Sequence, residues 1–309
     1  MSRLLAAELK RIAARRLDRL TVVLSLAGIV VGGVAAFVWS DSLPDAVYQQ
    51  RVTEAKARDE TQREQTEECL VEHGVTRGAE IPEDVARQCF PTKDVAHVDD
   101  PRFHRDRLRG VLQGVSGALV VVGWALGASL VGAEFASRGM TTLLTWETRR
   151  GRVFLAKAAA AVAAMAVFAL CVLALVMLVM WPALAVHGAP LEPNDPTWAS
   201  LAGLVGRGVV LTALGSAMGF AIATVGRNTA AALGAGFGLL LVLENILGSS
   251  IARWRRWLLL GNVIVFVSGN DNGGEVPGRT VTGAGVFLAA VALTLLIGAA
   301  ATFWRRDLA

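Results

Sequence analysis

Long, uncharged apolar runs alternate with polar segments along the chain. Residues 110–133, 158–191 and 280–304 contain no Asp, Glu, Lys or Arg. An apolar helix of about 20 residues is long enough to cross the hydrocarbon core of a membrane, which is about 30 Å thick. The pattern therefore predicts an all-α membrane protein and excludes a soluble enzyme.

The apolar runs predict six transmembrane helices, which cover residues 21–40, 111–132, 158–186, 201–226, 228–249 and 281–304. The first run exceeds the apolar core of a signal peptide, which is about 7–15 residues long, so we interpret it as a retained span. An even number of spans places both termini on the same side of the membrane.

The polar segments between the spans differ in character. Residues 1–20 place apolar side chains on one face at helical spacing, which predicts an amphipathic helix on the membrane surface. Residues 41–110 form a long polar excursion. Residues 133–157 form a basic connection, and residues 250–280 are predicted to lie at the outer interface. The chain thus has two large segments outside the membrane core, one on each side.

The distribution of charge predicts the orientation. Residues 1–20 carry a net charge of +4 and residues 133–157 one of +3, whereas residues 41–110 carry −5. Lys and Arg in short loops accumulate on the cytoplasmic side. Both termini are therefore predicted to be cytoplasmic, and residues 41–110 extracytoplasmic. Because the basic residues lie beside the span ends, they indicate contact with membrane lipid and no nucleic-acid partner.

The extracytoplasmic loop is predicted to be helical and solvated. A helix start at Pro44 and a stop at His73 enclose a stretch rich in Gln, Glu, Arg and Ala. Cys69 and Cys89 share this loop, and an extracytoplasmic location permits a disulfide between them. No metal site is predicted, because the spacing of the loop's histidines matches no compact zinc pattern: His73, His97 and His104.

The sequence lacks the patterns that would support catalysis. A P-loop needs a lysine directly after a glycine, and none of the four lysines follows one: Lys10, Lys56, Lys93 and Lys157. There is no HExxH or GxSxG motif, and the predicted spans contain no histidine. We therefore expect no catalytic residue, no cofactor held by this chain and no enzymatic activity of its own.

Two ionisable residues stand out within the predicted spans. Arg207 precedes the turn at Arg227 by 20 residues, and Glu244 follows that turn by 17. At a rise of 1.5 Å per residue, their depths differ by about 4.5 Å. We predict that Arg207 and Glu244 pair near the outer end of the hairpin. The alternatives are that each side chain extends separately to the outer interface, or that the pair makes a functional contact with an anionic substrate.

Pairs of glycines four residues apart occur in four of the predicted spans. This spacing permits close contact between helices, including contact between subunits. The pairs are Gly28/Gly32, Gly123/Gly127, Gly215/Gly219 and Gly234/Gly238.

The connection between the second and third spans is too apolar for a simple linker. It contains Phe135, Met140, Leu143, Leu144 and Trp146 within 12 residues. A short helix with this much apolar surface is expected to dock into a partner. The alternative is an interfacial helix that rests on lipid headgroups.

This stretch resembles the segment that permeases of the ABC-2 type carry between their second and third spans. In that family an acidic residue ends span two, and a glycine, a Leu-Leu-Thr triplet, a basic pair and a lysine follow. The matching residues here are Glu134, Gly139, Leu143-Leu144-Thr145, Arg149-Arg150 and Lys157. The family often has proline where this chain has Thr148. The resemblance covers roughly three quarters of the chain and excludes residues 41–110.

The resemblance implies the permease subunit of an ATP-driven exporter, located in the plasma membrane of a bacterium. Such permeases form homo- or heterodimers, and each binds a cytoplasmic ABC ATPase that carries ATP and Mg²⁺. The paucity of charge in the spans suggests an apolar or amphipathic cargo such as a drug, peptide or lipid. The residues implied in coupling to the ATPase are Glu134, Phe135, Arg138, Met140, Leu143, Leu144, Trp146 and Arg149.

Two other classes of protein were compatible with six spans. A secondary transporter would need ionisable residues in the spans or inverted repeats, and the sequence shows neither. A non-transporting scaffold or sensor that works through residues 41–110 stays open as the alternative.

Overall fold

A computed structural model of the protein describes residues 2–73, 85, 89, 100–137, 139, 145, 149–191, 193, 195–238, 256–270, 276 and 278–305. Within these residues the fold is all-helical. The helices described are α1 (Ser2–Ala14), α2 (Arg16–Val38), α3 (Asp45–Glu72), α4 (Arg105–Ala136), α5 (Arg150–His187), α6 (Trp198–Gly226), α7 (Thr229–Phe237), α8 (Leu259–Ser268) and α9 (Val281–Arg305).

Five of the described helices are long and apolar enough to cross a membrane, namely α2, α4, α5, α6 and α9. The shortest, α2, has 23 residues and is therefore about 35 Å long. These helices coincide with five of the six predicted spans. Of the remaining one, residues 228–249, the structure describes only the beginning, which includes α7. The total of six spans therefore stays a prediction.

Caps fix the ends of α6 and the start of α7. Thr197 precedes α6, and its hydroxyl accepts a hydrogen bond from the Ser200 N–H at 3.2 Å. Arg227 ends α6 in the left-handed conformation, with φ of 50°. Asn228 then accepts a hydrogen bond from the Ala230 N–H at 2.8 Å. Because Arg227 ends α6 and the Asn228 side chain satisfies a backbone N–H at the start of α7, the chain turns from α6 into α7 within two residues.

The closest contact in the membrane unit joins α4 and α6. Gly123 and Gly127 on α4 face the backbone of Thr212 and Ser216 on α6. The relation is reciprocal, because Gly215 and Gly219 on α6 face the carbonyl groups of Val120 and Trp124 on α4. A Cβ on Gly123 would lie 2.6 Å from the Thr212 carbonyl oxygen. Two of the predicted glycine pairs therefore pack against each other within one chain, as small residues at helix interfaces allow.

An apolar cluster surrounds the end of α6 that leads into α7. Phe154 of α5 lies at its centre, with ring centroids 5.6 Å from Phe220 and 5.8 Å from Phe303. The cluster also includes Val131 of α4 and Ala232 of α7. It thus joins α4, α5, α6, α7 and α9 at the end of the helices where Lys157 lies. We call this end of the membrane unit the Lys157 end.

The opposite end of the membrane unit carries exposed tryptophans and buried arginine contacts. Trp181 and Trp198 lie with ring centroids 5.7 Å apart, and Arg105 lies 4.8 Å above the Trp198 ring. Such aromatic side chains are enriched at membrane–water interfaces. The short helix α8 packs here against α4, α6 and α9. We call this end the Trp198 end.

The chain divides into two compact units. The membrane unit comprises Met1–Val34, Arg105–Trp181 and Asn194–Ala309, and the second unit comprises Ala35–His104 and Pro182–Pro193. The second unit is built around α3, a polar helix that begins after Pro44 and ends before His73. In this unit Phe103 pairs with the backbone of His187 and Ala189, and Asp41 with that of Pro101. Backbone hydrogen bonds and side-chain contacts therefore supplement the small apolar area that this unit can bury.

Candidate functional site

A cluster of charged side chains lies at the Lys157 end, where α4 stops and α5 begins. Glu134 is in the last turn of α4, and Lys157 is in the third turn of α5. Between them lies the stretch around residues 135–147 that is predicted to couple to a partner. The two residues that face each other are thus those that flank this connection.

Lys157 is the centre of the cluster. Its Nζ lies 2.8 Å from Glu8 Oε1, 2.8 Å from Glu134 Oε1 and 2.7 Å from Glu134 Oε2. Arg11 donates to Glu134 Oε1 at 3.2 Å. One ammonium group therefore holds α1, α4 and α5 together. The charges balance, with two carboxylates against one ammonium and one guanidinium.

The cluster is shielded from solvent. The side chains of Lys157, Glu8 and Glu134 are 5%, 11% and 14% exposed. A buried charge that loses its partner costs about 3–5 kcal/mol, because its own desolvation is no longer compensated. Glu8, Glu134 and Lys157 are therefore stable in these positions only while their partners are present, whereas Arg11, whose side chain is 57% exposed, depends less on the cluster. The arrangement fixes the relative positions of the three helices.

The helix α1 is fastened to the membrane unit at a second point. Arg15, at the break between α1 and α2, donates from Nη2 to the Ser129 carbonyl of α4 at 3.2 Å. A cavity of about 190 Å³ lies between these attachments and is lined by Arg11, Arg15, Glu134, Lys157 and Phe220, among others. The amphipathic N-terminal segment is thus attached to the rest of the membrane unit through one acidic side chain, Glu8, and two basic side chains, Arg11 and Arg15.

Sequence reasoning selected Glu134 but not Glu8 or Arg11. Glu8, Arg11 and Arg15 follow one another at spacings of three and four residues, which places them on one side of α1. This spacing, and the presence of Glu8 as the single acid in the otherwise basic α1, could have identified this face of the helix from the sequence. Lys157 was recognised only as part of the family motif.

Of the other residues predicted to couple to an ATPase, the structure describes two. Phe135 is partly buried against the apolar cluster around Phe154, so part of its surface is used within the chain itself. Arg149 precedes α5, has an exposed side chain, and its carbonyl accepts from the Arg152 and Val153 N–H groups. The remaining predicted residues lie outside the described residues: Arg138, Met140, Leu143, Leu144 and Trp146.

The predicted pairing of Arg207 with Glu244 is not tested, because Glu244 lies outside the described residues. Arg207 lies on α6 with its guanidinium against Gly269, which ends α8 at φ of 68°. Nearby, Arg109 donates to the Ser268 carbonyl at 3.1 Å. Two arginines therefore lie at the C-terminal end of α8, where the helix dipole favours positive charge.

The second unit contains the predicted disulfide. Cys69, in the last turn of α3, is bonded to Cys89, and their Cα atoms are 5.7 Å apart. His73 Nδ1 and the two sulfur atoms lie within 4.8 Å of one another. A thiolate is the form of cysteine that binds metals, so these bonded sulfurs do not offer the ligands of a metal site.

An ion-pair network holds the start of α3 to the segment before α4. Arg102, whose side chain is 5% exposed, contacts Asp100 and Asp45 at 2.8 Å each and lies over the Tyr48 ring. Burial by itself raises the pKa of Asp100, but hydrogen bonds from Arg102 and His104 outweigh it and lower that pKa from 3.8 to about 2. The ionised carboxylate therefore stabilises this unit above about pH 4, and its contribution is lost as the pH falls through about 2.

The comparison with protein families matches the chain over nearly its full length. The model of the ABC-2 family transporter protein covers residues 9–308, a range that begins within α1 and extends past α9. No curated protein and no solved structure gives a significant match. The matched range of residues 9–308 includes Arg11, Glu134 and Lys157 of the charged cluster and all five described membrane helices.

The chain belongs to the ABC-2 family of transporter proteins and is an ABC-2 type permease. Proteins of this family are membrane components of ABC transporters and are not themselves catalytic. They associate in general with an ABC ATPase.

Proposed function

We propose that the chain is the permease subunit of an ATP-driven exporter of apolar or amphipathic compounds. It would act as a homo- or heterodimer, and each copy would bind a separate cytoplasmic ABC ATPase that supplies ATP and Mg²⁺. The segment around residues 135–147 would be the coupling helix that contacts that ATPase. Membership of the ABC-2 family supports the general assignment, and the direction of transport and the cargo class are the proposed additions.

The observation that carries the coupling hypothesis is the charged cluster around Lys157. Glu134 and Lys157 bracket the proposed coupling segment, and their contacts of 2.7–2.8 Å hold its two ends together. A force applied to the segment is therefore transmitted to α4 and α5 as a pair. Through Glu8, the same ammonium group links α1 to this pair.

The orientation follows from the charges at the two ends of the helices. Basic residues are concentrated at the Lys157 end, in residues 1–20 and 133–157. The positive-inside rule places such segments in the cytoplasm. We therefore propose that the Lys157 end faces the cytoplasm of a bacterial cell and that the unit built around α3 faces outward, where its disulfide is chemically favoured.

The surfaces of the described spans support an apolar or amphipathic cargo. The 18-residue core of each of these helices carries at most two charged side chains. A polar or highly charged cargo would need compensating groups along its route, since ionisable residues in a membrane are costly and mark such pathways. A substrate that is mostly hydrocarbon needs fewer of them.

The function is tested by purifying the tagged chain in mild detergent and identifying stoichiometric partners by mass spectrometry. We expect a nucleotide-binding chain with a P-loop to copurify with the wild-type protein. The double substitution Leu143→Asp and Leu144→Asp should remove it, because two carboxylates would disrupt an apolar contact. Val71→Asp, at a 74% exposed position on α3 in the second unit, is the matched control and should retain the partner.

The opposite result would be a chain that stays folded and monodisperse with no nucleotide-binding partner, even after cross-linking in membranes. The scaffold or sensor function would then account better for the protein. Deletion of residues 45–105 would abolish that function without affecting any ATPase contact.

A further inference from the structure

Helix α2 is attached to the rest of the membrane unit near both ends and is open between them. At its N-terminal end, the Arg15 guanidinium donates to the Ser129 carbonyl of α4. Toward its other end, the buried Gly33 lies against Val179 of α5. Between these points Val23 and Leu24 are 60% and 62% exposed. A Cβ on Gly28 or Gly32, also between these points, would meet no atom within 4 Å, so none of the described helices packs closely against that face of α2.

Two cavities follow one another in the space between α2, α4 and α5. The larger, of about 680 Å³, includes Val22, Val23, Leu126, Ala164 and Phe168 in its lining. The smaller, of about 350 Å³, is lined farther along the same helices by residues that include Ile29, Gly32, Val115, Leu119 and Val176. Together they form a groove beneath α2, which we call the α2 groove. The volume of each cavity lies in the range of small-molecule binding sites, about 300–1,000 Å³.

The charged side chains that line the larger cavity are Asp18 and Arg19, both at the Lys157 end. Asp18 Oδ2 is buried and has no hydrogen-bond partner among the described residues. Arg19 is exposed and donates only one of its groups to the Ala14 carbonyl. The groove thus presents an anion and a cation side by side at one end and hydrocarbon along its length.

We propose that the α2 groove binds a zwitterionic membrane phospholipid, with its ammonium group at Asp18, its phosphate at Arg19 and an acyl chain along α2, α4 and α5. The proposal deepens the proposed function, on which it rests, because it names a lipid of the cytoplasmic leaflet as the class of amphipath that the permease takes up. A headgroup with both charges satisfies both side chains, whereas a singly charged amphipath satisfies one.

The groove differs from an ordinary lipid-facing surface in its shape and its charge. On a convex lipid-facing surface, such as that of Leu293 and Ile297 on α9, the exposed apolar side chains belong to a single helix. Beneath α2 the apolar side chains of three helices instead surround one concave volume. A carboxylate oxygen that is buried without a hydrogen-bond donor costs free energy in an apolar environment. The charge of Arg15 already acts on Asp18, and a cation that enters at Oδ2 adds to that stabilisation.

The test uses the purified full-length chain in nanodiscs of unlabelled phosphatidylethanolamine, without ATPase or nucleotide. A trace of phosphatidylethanolamine with a diazirine in its acyl chain is photoactivated, and the cross-linked residues are mapped by mass spectrometry. We expect cross-links to concentrate on the lining of the α2 groove. Ala164→Trp, which fills the larger cavity, should lower their yield about tenfold. Leu293→Trp, on the exposed face of α9, is the control and should leave it unchanged.

Headgroup recognition is tested with the same acyl probe on phosphatidylglycerol, which lacks the ammonium group. We expect phosphatidylethanolamine to label the groove about fivefold better, and Asp18→Asn to remove that preference. Equal labelling by both lipids, or labelling spread evenly over the lipid-exposed helices, would overturn the proposal. So would efficient disulfide formation between copies of a Gly28→Cys variant, because the groove would then be an interface between two chains.

The outcome is independent of whether an ATPase is found. The lipid experiment contains no partner chain, so loss of the α2 groove signal leaves the ATPase copurification result unaffected. Conversely, lipid cross-links in the groove of a chain that binds no ATPase would support the lipid site and contradict the proposed exporter function.

Discussion

Two glycine pairs with the same spacing have opposite surroundings in this protein. Gly123 and Gly127 on α4 lie directly against the backbone of α6, whereas Gly28 and Gly32 on α2 have no atom within 4 Å of the position of a Cβ. The first pair brings two helices together, and the second borders an open groove. Spacing alone therefore permits close approach but does not determine whether a partner helix is present.

The difference has a physical origin in what lies opposite each glycine. On α6 the facing residues are themselves small, because Gly215 and Gly219 match the pair on α4. Backbones can then approach without displacing side chains, and interhelical packing is the main attraction available in lipid. Opposite Gly28 and Gly32, the groove is lined by larger residues such as Leu119 and Met180. These side chains keep α2 at a distance.

The largest expected effect comes from filling the contact between α4 and α6. Gly127→Val would place its side chain on the Ser216 backbone, which cannot move aside, and should destabilise the fold by more than about 3 kcal/mol. Thermal unfolding in detergent, followed by size-exclusion chromatography, measures this. Gly117→Val on the same helix, where a Cβ meets no atom within 4 Å, is the control. Equal losses in the two variants would contradict the packing described here.

A second effect concerns the attachment of α1. Lys157→Met should cost about 3–5 kcal/mol, because Glu8 and Glu134 would lose the ammonium group between them. Adding Glu8→Gln and Glu134→Gln should recover part of the loss. Hydrogen exchange of α1 should increase in Lys157→Met alone. Lys56→Met, at an exposed site on α3, is the control and should change neither the unfolding free energy nor the hydrogen exchange of α1. An equal change in both lysine variants would show that the charged cluster does not attach α1.

The third effect concerns the disulfide bond in the unit around α3. Replacing Cys69 and Cys89 by Ala removes a closed loop with a sequence separation of 20 residues. The chain-entropy model gives a cost of about 3 kcal/mol. Limited proteolysis of this unit, with and without reductant, checks the value. Wild-type protein in reductant should match the double variant, and an unchanged cleavage rate in both would show that the bond contributes nothing.

A smaller effect is expected where α2 touches α5. A Cβ on Gly33 meets the Val179 side chain, which can move, so Gly33→Ala should cost about 1 kcal/mol. The melting temperature in detergent measures it. A loss as large as that of Gly127→Val would mean that α2 is packed as tightly as α6.

The smallest effect is expected for Gly28→Val, which faces open space. Its unfolding free energy should stay within about 0.5 kcal/mol of wild type, as is usual for substitutions without close neighbours. The same melting experiment gives this value. A strong loss of stability would show that another part of the protein, or a second copy, covers this face of α2.

Hydropathy was sufficient to predict the helical membrane fold, because spans of this length leave few alternatives. It could not predict which helices touch. Four glycine pairs have the same spacing, but whether a pair contacts another helix depends on the residues opposite it, as the pairs on α4 and α6 show. For the same reason the groove beneath α2 has no signature in the sequence, since it depends on the separation of three helices.

The candidate site was predicted in part. Glu134 was selected from the family motif, while its contacts with Lys157 and Arg11 depend on how α1 folds back against α4. The spacing of Glu8, Arg11 and Arg15 marks a polar face on α1, but a sequence pattern does not say what that face meets. For the apolar residues of the coupling segment, such as Leu143 and Leu144, the role in ATPase contact stays a prediction.

Site-specific photo-cross-linking in intact membranes tests most directly whether the segment around residues 135–147 contacts an ABC ATPase. A benzophenone amino acid is placed at Leu144 and, as the control, at Val71 on α3. The account predicts that Leu144 forms one major cross-link to a chain with a P-loop and that Val71 does not. Cross-links from Leu144 to lipid alone, or to no nucleotide-binding chain, would contradict it.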